Sequence, residues 1–150
     1  MGLSIYIGVE IRTWKSSFGN ECEKFNLHHK FLRIGLRNAA VVIEVENAKQ
    51  FRAIFPLLAD IDSWNDTVVW SMNKDVFSVE VREWKGNWAG KEEVAIVAKM
   101  NQDTSVFWIG YDGNSISVIS NHDQFLTYEG ICRTLPLFIK ATLDESQWLD

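Results

Sequence analysis

The sequence predicts an α+β fold in which two tandem β-β-β-β-α half-repeats place antiparallel sheets against two helices. Three short motifs recur in the same order, at offsets of 70, 75 and 74 residues, and this indicates an internal duplication. Residues 9–18 return at 79–88 with five identical positions, residues 34–35 return at 109–110, and residues 47–51 return at 121–125. We therefore expect residues 1–150 to form one domain, with half-repeats at about 3–64 and 75–142.

The first predicted strand covers residues 3–14, where apolar and polar side chains alternate with a period of two. Its core-facing side chains are Ile5, Ile7, Val9 and Ile11. Residues 21–28 are ambiguous by themselves. The duplication predicts a second strand there, because the matching residues 93–100 have an extended pattern.

A hairpin follows in each predicted half. In the first half it joins residues 31–37 to residues 41–46 around Asn38 and Ala39. The matching turn in the second half contains Asp112 followed by glycine, a pair that favours tight hairpins. Each half therefore supplies four strands before its helix.

Each predicted half ends in a helix that begins with an Asn-x-x-Gln capping box. In this motif the Asn side chain accepts a hydrogen bond from a free amide at the third helical position, and the Gln side chain reaches back. The two predicted caps are Asn47 with Gln50 and Asn121 with Gln124. His122 lies in the second capping turn, where a role in starting the helix explains it.

Composition bounds the class of protein. Apolar residues make up 47% and aromatic residues 13%, which is ample for a buried core. No apolar run reaches the roughly 18 residues that a membrane span needs, and the alternating N-terminus argues against a signal peptide. Cys22 and Cys132 are not equivalent positions in the repeat, so free thiols in a cytoplasmic protein are the simpler expectation.

Charge is divided unevenly along the chain. Residues 1–74 carry 9 Lys and Arg against 8 Asp and Glu, whereas residues 75–150 carry 6 against 12. An acidic second half repels phosphate backbones and attracts basic partners. This favours a protein partner over nucleic acid.

The predicted repeat resembles the PUR-repeat and Whirly proteins. Residues 30–34 look like the third strand of a PUR repeat, and residues 50–61 look like its helix. The resemblance implies binding of single-stranded nucleic acid through the sheets. The acidic second half departs from the basic strands of those families. Some immunity proteins that neutralise contact-dependent toxins also resemble the Whirly fold, and an acidic chain suits that use.

One face of the repeated motif is a candidate contact surface. Arg12, Trp14, Arg82, Trp84 and Trp88 lie on or beside the predicted outward face. Arginine and tryptophan are enriched at binding hot spots, and the same residue types could stack bases and hold phosphates. The structural alternative is that the glutamates and arginines of this face pair across strands while the tryptophans cover a sheet edge.

The second candidate surface is acidic. Glu92, Glu93, Asp103 and Asp112 fall in or beside predicted turns of the second half. If these turns share one end of a sheet, their carboxylates form a docking surface rimmed by Trp84 and Trp88. The alternative is that they only keep the loops soluble.

The sequence contains few of the motifs that indicate catalysis or metal binding. There is no Gly-x-Ser-x-Gly motif, glycine-rich phosphate loop or His-Glu-x-x-His motif. His28 and His29 point to opposite faces of a strand, and no Cys-x-x-Cys pair joins them, so we expect no metal and no cofactor. The leading hypothesis is a non-catalytic, immunity-type inhibitor of a basic toxin or nuclease. The alternative is a single-stranded nucleic-acid-binding module.

Overall fold

The computed structural model describes residues 4–12, 17–63, 66–110, 115–135, 137–139 and 141. The strands are β1 Ile5–Arg12, β2 His28–Ile34, β3 Asn38–Val45, β4 Val68–Ser71, β5 Phe77–Glu83, β6 Glu92–Ala98, β7 Ser105–Ile109 and β8 Ile116–Ser120. The α-helices are α1 Phe18–Lys24, α2 Ala48–Ser63 and α3 Tyr128–Thr134, and short 3-10 helices cover Gly86–Trp88 and Asp123–Phe125. The predicted α+β class is confirmed.

The described strands form two antiparallel sheets. The larger has six strands in the order β2-β3-β1-β4-β7-β8, and β5 and β6 form a separate two-stranded hairpin. Strand β1 is central, because β3 and β4 pair with its two edges. The pairing of β4 with β7 joins strands from both predicted halves into one sheet.

The main core lies on one face of the large sheet. The predicted alternation of β1 is confirmed, since Ile7, Val9 and Ile11 are buried against α2 and α1. Helix α2 contributes Ile54 and Leu58 to this core. Apolar side chains at every second strand position and every third or fourth helical position account for this packing.

The β5–β6 hairpin packs on the opposite face of the sheet. Gly8, which lies between buried Ile7 and Val9, points to that face. A Cβ atom added at Gly8 would lie 3.3 Å from both Phe77 and Ile96 of the hairpin. The missing side chain therefore allows the hairpin to approach β1 closely.

The expectation of two four-stranded sheets is wrong for the described strands, and the tandem half-repeat arrangement is not confirmed. Residues 9–12 lie in the central strand of one sheet, whereas residues 79–82 lie in the hairpin. The apolar stripe of β1 includes Ile5, but Asp75 stands at the matching position before β5. The stripe of β5 is also followed by Glu83, and charged residues of this kind suit an edge strand.

Two local expectations are also corrected. The strand predicted at residues 21–28 is wrong, since only His28 belongs to a strand, β2. Helix α1 covers the first part and buries Phe18 and Cys22, which are four residues apart as on one helical face. Asn121 does not cap a helix, since its Oδ1 accepts from the Thr104 amide at 2.7 Å instead. Thr127 caps α3, with its hydroxyl accepting from the amide of Gly130.

The predicted cap of α2 is confirmed, and His122 has the predicted role at the start of a helix. The amide of Gln50 donates to Asn47 Oδ1 at 3.0 Å, and Gln50 Oε1 accepts from the amide of Glu46 at 2.8 Å. His122 Nδ1 accepts from the amide of Gln124 at 3.1 Å and starts the second 3-10 helix. These bonds satisfy amides that have no partner within the helix.

Candidate interaction surface

Side chains of the large sheet attach the hairpin to it. They form hydrogen bonds with the main chain of β6, as a neighbouring strand would do. Asn38 Nδ2 donates to the carbonyl oxygen of Val94 at 2.6 Å, and the Val94 amide donates to Asn38 Oδ1 at 2.9 Å. Two residues further along β6, the Ile96 amide donates to Glu10 Oε1 at 2.7 Å. Strand β6 is thereby fixed on both edges, and β5 is the outer strand of the hairpin.

Glu10 is an ionisable group in the contact between the two sheets. Its Oε2 accepts a hydrogen bond from the Thr67 hydroxyl at 3.1 Å. Burial raises the pKa of Glu10, and the hydrogen bonds from Ile96 and Thr67 oppose that shift. Glu93 raises the same pKa further and Arg82 lowers it, so both of these predicted site residues act on Glu10.

The hairpin end carries charges of both signs: Glu80, Arg82, Glu83 and Lys85 on the outer strand and after it, and Lys91, Glu92 and Glu93 opposite them. Residues 80–87 are all exposed. Glu83 lies directly opposite Glu92 in the hairpin register, and Arg82 lies opposite Glu93. Like charges directly opposite on one face of a sheet are destabilising, whereas an Arg–Glu pair is favourable. Glu83 and Glu92 are therefore two like charges on one face, with Lys85 and Lys91 close to them in the chain.

Trp84 extends this surface beyond the last pair of strand residues. Its amide donates to the Lys91 carbonyl oxygen at 2.9 Å, which continues the pairing of the hairpin. Nevertheless 46% of Trp84 is exposed, a large fraction for tryptophan. Gly86 and Gly90 have φ angles of 73° and 81°, and these left-handed conformations close the turn.

Arg12 lies at the end of β1, in register with Asn38, which also holds Val94. Its Nε is 3.6 Å from Asp66 Oδ1, and half of the Arg12 side chain remains exposed. The other oxygen of Asp66 is buried without a hydrogen-bond partner among the described residues. Arg12 therefore lies near the hairpin end, but its guanidinium is paired with Asp66, two residues before β4.

The acidic residues singled out in the sequence do not all share one end of the hairpin. Glu92 and Glu93 begin β6, whereas Asp103 follows its far end, about 20 Å of extended chain away. Asp103 has a φ angle of 52°, and its carbonyl oxygen accepts from Asn73. Trp14 and Asp112 lie outside the described residues. Trp88 lies in the 3-10 helix of the hairpin turn.

Arg82, Trp84 and Glu93 thus share one face of the hairpin end, whereas Glu92 and its partner Glu83 lie on the other face, because side chains alternate along a strand. Arg12 lies nearby on β1. Sequence reasoning missed Glu83, because its importance depends on the register that places it opposite Glu92. It also missed Asn38 as an anchor. No sequence signal marks a turn asparagine whose partner is 56 residues away.

The part of the chain that the structure describes offers few groups for metal binding or nucleophilic chemistry. No group of three or more His, Cys, Asp or Glu residues there could hold a metal ion. None of the helices in that part has the length and apolar character of a membrane span. Both cysteines are free, and burial, with smaller contributions from Glu21 and Glu23, raises the pKa of the Cys22 thiol to about 12. A thiol with so high a pKa is a poor nucleophile.

Neither a protein-family model, a curated protein nor a solved structure matches this chain.

Proposed function

We propose that this chain is a non-catalytic cytoplasmic binding protein that masks a basic partner, in the manner of an immunity protein that blocks a nuclease toxin. The observation that carries the proposal is the pair of directly opposed carboxylates, Glu83 and Glu92, at the hairpin end. Exposed Trp84 follows Glu83 in the chain and lies at the same end, on the other face of the hairpin. The excess of acidic residues over basic ones in residues 75–150 supports it.

The physical argument combines electrostatics with an aromatic anchor. A lysine or arginine placed between Glu83 and Glu92 would replace a repulsion with two attractions, so this interaction favours the bound state. Trp84 offers a large apolar surface that gains energy when a partner excludes water from it. Because β6 is held by Asn38 and Glu10, the hairpin presents these groups on a fixed support.

The proposal is tested by affinity purification from the source cells, using the tagged chain and a Glu83→Lys/Glu92→Lys variant. We expect a basic nuclease or other basic toxin to be recovered with the wild-type chain and lost with the variant. The control is Glu23→Lys/Glu46→Lys, which makes the same change of charge at exposed positions outside the hairpin. Recovery that is equal with both variants would contradict the proposal.

A second candidate function, binding of single-stranded nucleic acid, is favoured by one groove. This cavity of about 350 Å³ lies between the hairpin and the neighbouring strands, and Arg82 and Trp108 both line it. A base could stack on an indole while a guanidinium holds the phosphate. If so, a fluorescent single-stranded oligonucleotide binds at low salt, and its affinity falls as salt rises. Absence of binding at low salt, with protein well above micromolar concentration, removes this candidate.

A further inference from the structure

A polar cleft of about 310 Å³ lies on the hairpin side of the sheet, near the beginning of β1. One wall is a row of residues in register on three adjacent strands: Tyr6 on β1, Glu44 on β3 and His28 on β2. Side chains in register on neighbouring strands point to the same face, so these three enter the cleft together. Lys74 and Asp75, between β4 and β5, border it on another side.

The cleft contains charges of both signs that do not neutralise each other directly. Lys30 and Lys74 are cationic, and Glu44 and Asp75 are anionic. Over the described ranges of the chain, none of these four side chains forms an ion pair with another described residue. The Glu44 carboxylate does accept a hydrogen bond from the Tyr6 hydroxyl at 3.1 Å, which orients it.

The electrostatic environment of Tyr6 shows that both signs of charge act at this place. Burial raises the pKa of the Tyr6 hydroxyl, and the hydrogen bond and charge of Glu44 raise it further. Lys74 acts in the opposite direction and lowers it. An anionic and a cationic group of the cleft therefore both lie within electrostatic reach of one hydroxyl.

The rest of the lining is His29 and three apolar side chains. Leu32, Val42 and Phe77 contribute to the cleft, and Phe77, the first residue of β5, is almost fully buried against the large sheet. The volume of the cleft is near the lower end of the range for ligand pockets, about 300 to 1,000 Å³. Polar groups that converge on one cleft beside apolar side chains can fix the orientation of a small molecule.

We propose that this cleft binds a small zwitterion of the α-amino acid class. The ammonium group lies against Glu44, and the carboxylate lies between Lys30 and Lys74. The ligand's uncharged side chain packs on Leu32, Val42 and Phe77. Glu44 and Asp75 would repel a ligand that carries only a negative charge. Lys30 and Lys74 would repel one that carries only a positive charge. A ligand with both charges gains from both sets of groups.

The test titrates the ¹⁵N-labelled chain with each natural amino acid that has an uncharged side chain, at millimolar concentration, and follows backbone amide shifts by NMR. For the amino acid that binds best, two derivatives are compared: its amide, which lacks the carboxylate, and its N-acetyl form, which lacks the ammonium group. We expect each derivative to lose at least about tenfold in affinity, since each removes one charge interaction.

Variants provide an independent measurement. Glu44→Gln retains an oxygen that can accept from Tyr6, so the fold is preserved while the charge is removed. This variant, and Lys30→Ala/Lys74→Ala, should weaken amino acid binding at least about tenfold. Glu23→Gln and Lys49→Ala, at exposed positions on α1 and α2, should leave it unchanged.

Two results would overturn the proposal. One is the absence of amide shifts at Tyr6, His28 and Val42 with every amino acid in the titration. The other is equal binding of the N-acetyl derivative, which would identify a plain anion site. The derivatives are tested on the wild-type chain, so this result does not depend on any variant folding. The cleft is distinct from the hairpin end around Trp84, and failure of either proposal leaves the other standing.

Discussion

Asn38 and Val94 exchange two hydrogen bonds, of 2.6 and 2.9 Å, although they belong to different sheets. The amide side chain of Asn38 presents a donor and an acceptor in the same way as the main chain of a neighbouring strand. Both residues are buried, so the main-chain groups of Val94 have no access to water as an alternative. This contact holds the hairpin and its exposed end on the large sheet.

Asn38→Ala should therefore loosen the hairpin. We expect the free energy of unfolding to fall by about 2 to 3 kcal/mol, because a buried main-chain group that loses its partner costs about 1 to 3 kcal/mol. Urea denaturation measures the loss, and hydrogen exchange at the Val94 amide should accelerate. Asn87→Ala, at an exposed position of the hairpin turn, is the matched control and should change stability little. Equal effects of the two substitutions would contradict the role assigned to Asn38.

Glu10 should make the free energy of unfolding fall as pH rises, because its pKa is raised in the folded state. Burial raises the folded-state pKa of Glu10 above its usual value of 4.5. In the window between these two pKa values the folded state binds more protons than the unfolded state, so stability falls as pH rises. The contribution of Glu10 is fully present below about pH 4.5 and is lost as pH rises through the folded pKa.

Glu10→Gln tests this dependence, because the amide oxygen can still accept from Ile96 without carrying a charge. Relative to the variant, the wild-type chain should lose stability as pH rises through that window. Urea denaturation of both proteins at a series of pH values provides the measurement. Stability curves that remain parallel over the whole series would show that Glu10 does not titrate differently in the folded state.

The two cysteines should differ in reactivity. Burial raises the pKa of Cys22 to about 12, so almost none of it is thiolate at mildly alkaline pH, and access is blocked as well. We expect Cys132, which is half-buried, to react first with a disulfide reagent. In Cys132→Ser the folded chain should then react only slowly, and unfolding in urea should restore rapid reaction. Rapid labelling of folded Cys132→Ser would contradict the burial of Cys22.

The regular patterns in the sequence were sufficient to predict local structure but not the pairing of strands. The alternation of β1 predicted which side chains would be buried, and the Asn47–Gln50 motif predicted the beginning of α2, since both depend on neighbours within a few residues. Strand order depends on contacts between distant residues. The repeated motif at residues 79–82 does not indicate that β5 pairs with β6 outside the large sheet.

The same limit applies to the candidate surface. Arg82 and Trp84 could be selected from the sequence because they belong to the repeated motif, and Glu92 and Glu93 because they are acids beside a predicted turn. Glu83 gains its significance only from the register that places it opposite Glu92. The direction of β6 likewise separates Asp103 from the other acids, and the direction of a strand within a fold is not a local property.

The end of the hairpin provides the last prediction, which concerns the rates of binding to the basic partner recovered by affinity purification. Glu83→Lys/Glu92→Lys should slow association at least about tenfold at low salt, because it reverses the charges that attract the partner. The effect should diminish at high salt, which screens exposed charges. The free chain should keep its stability, since the opposed lysines repel each other as the glutamates did.

Trp84→Ala should act on the other rate. An aromatic anchor gains its energy after contact is made, so its removal should cost about 2 kcal/mol or more and speed dissociation about thirtyfold, with little change in association. Surface plasmon resonance resolves both rates, and Glu23→Lys/Glu46→Lys again controls for the change in net charge. Wild-type rates in both hairpin variants would place the interface elsewhere on the molecule. A charge effect on association without any effect of Trp84→Ala would mean that the hairpin end attracts the partner but does not hold it.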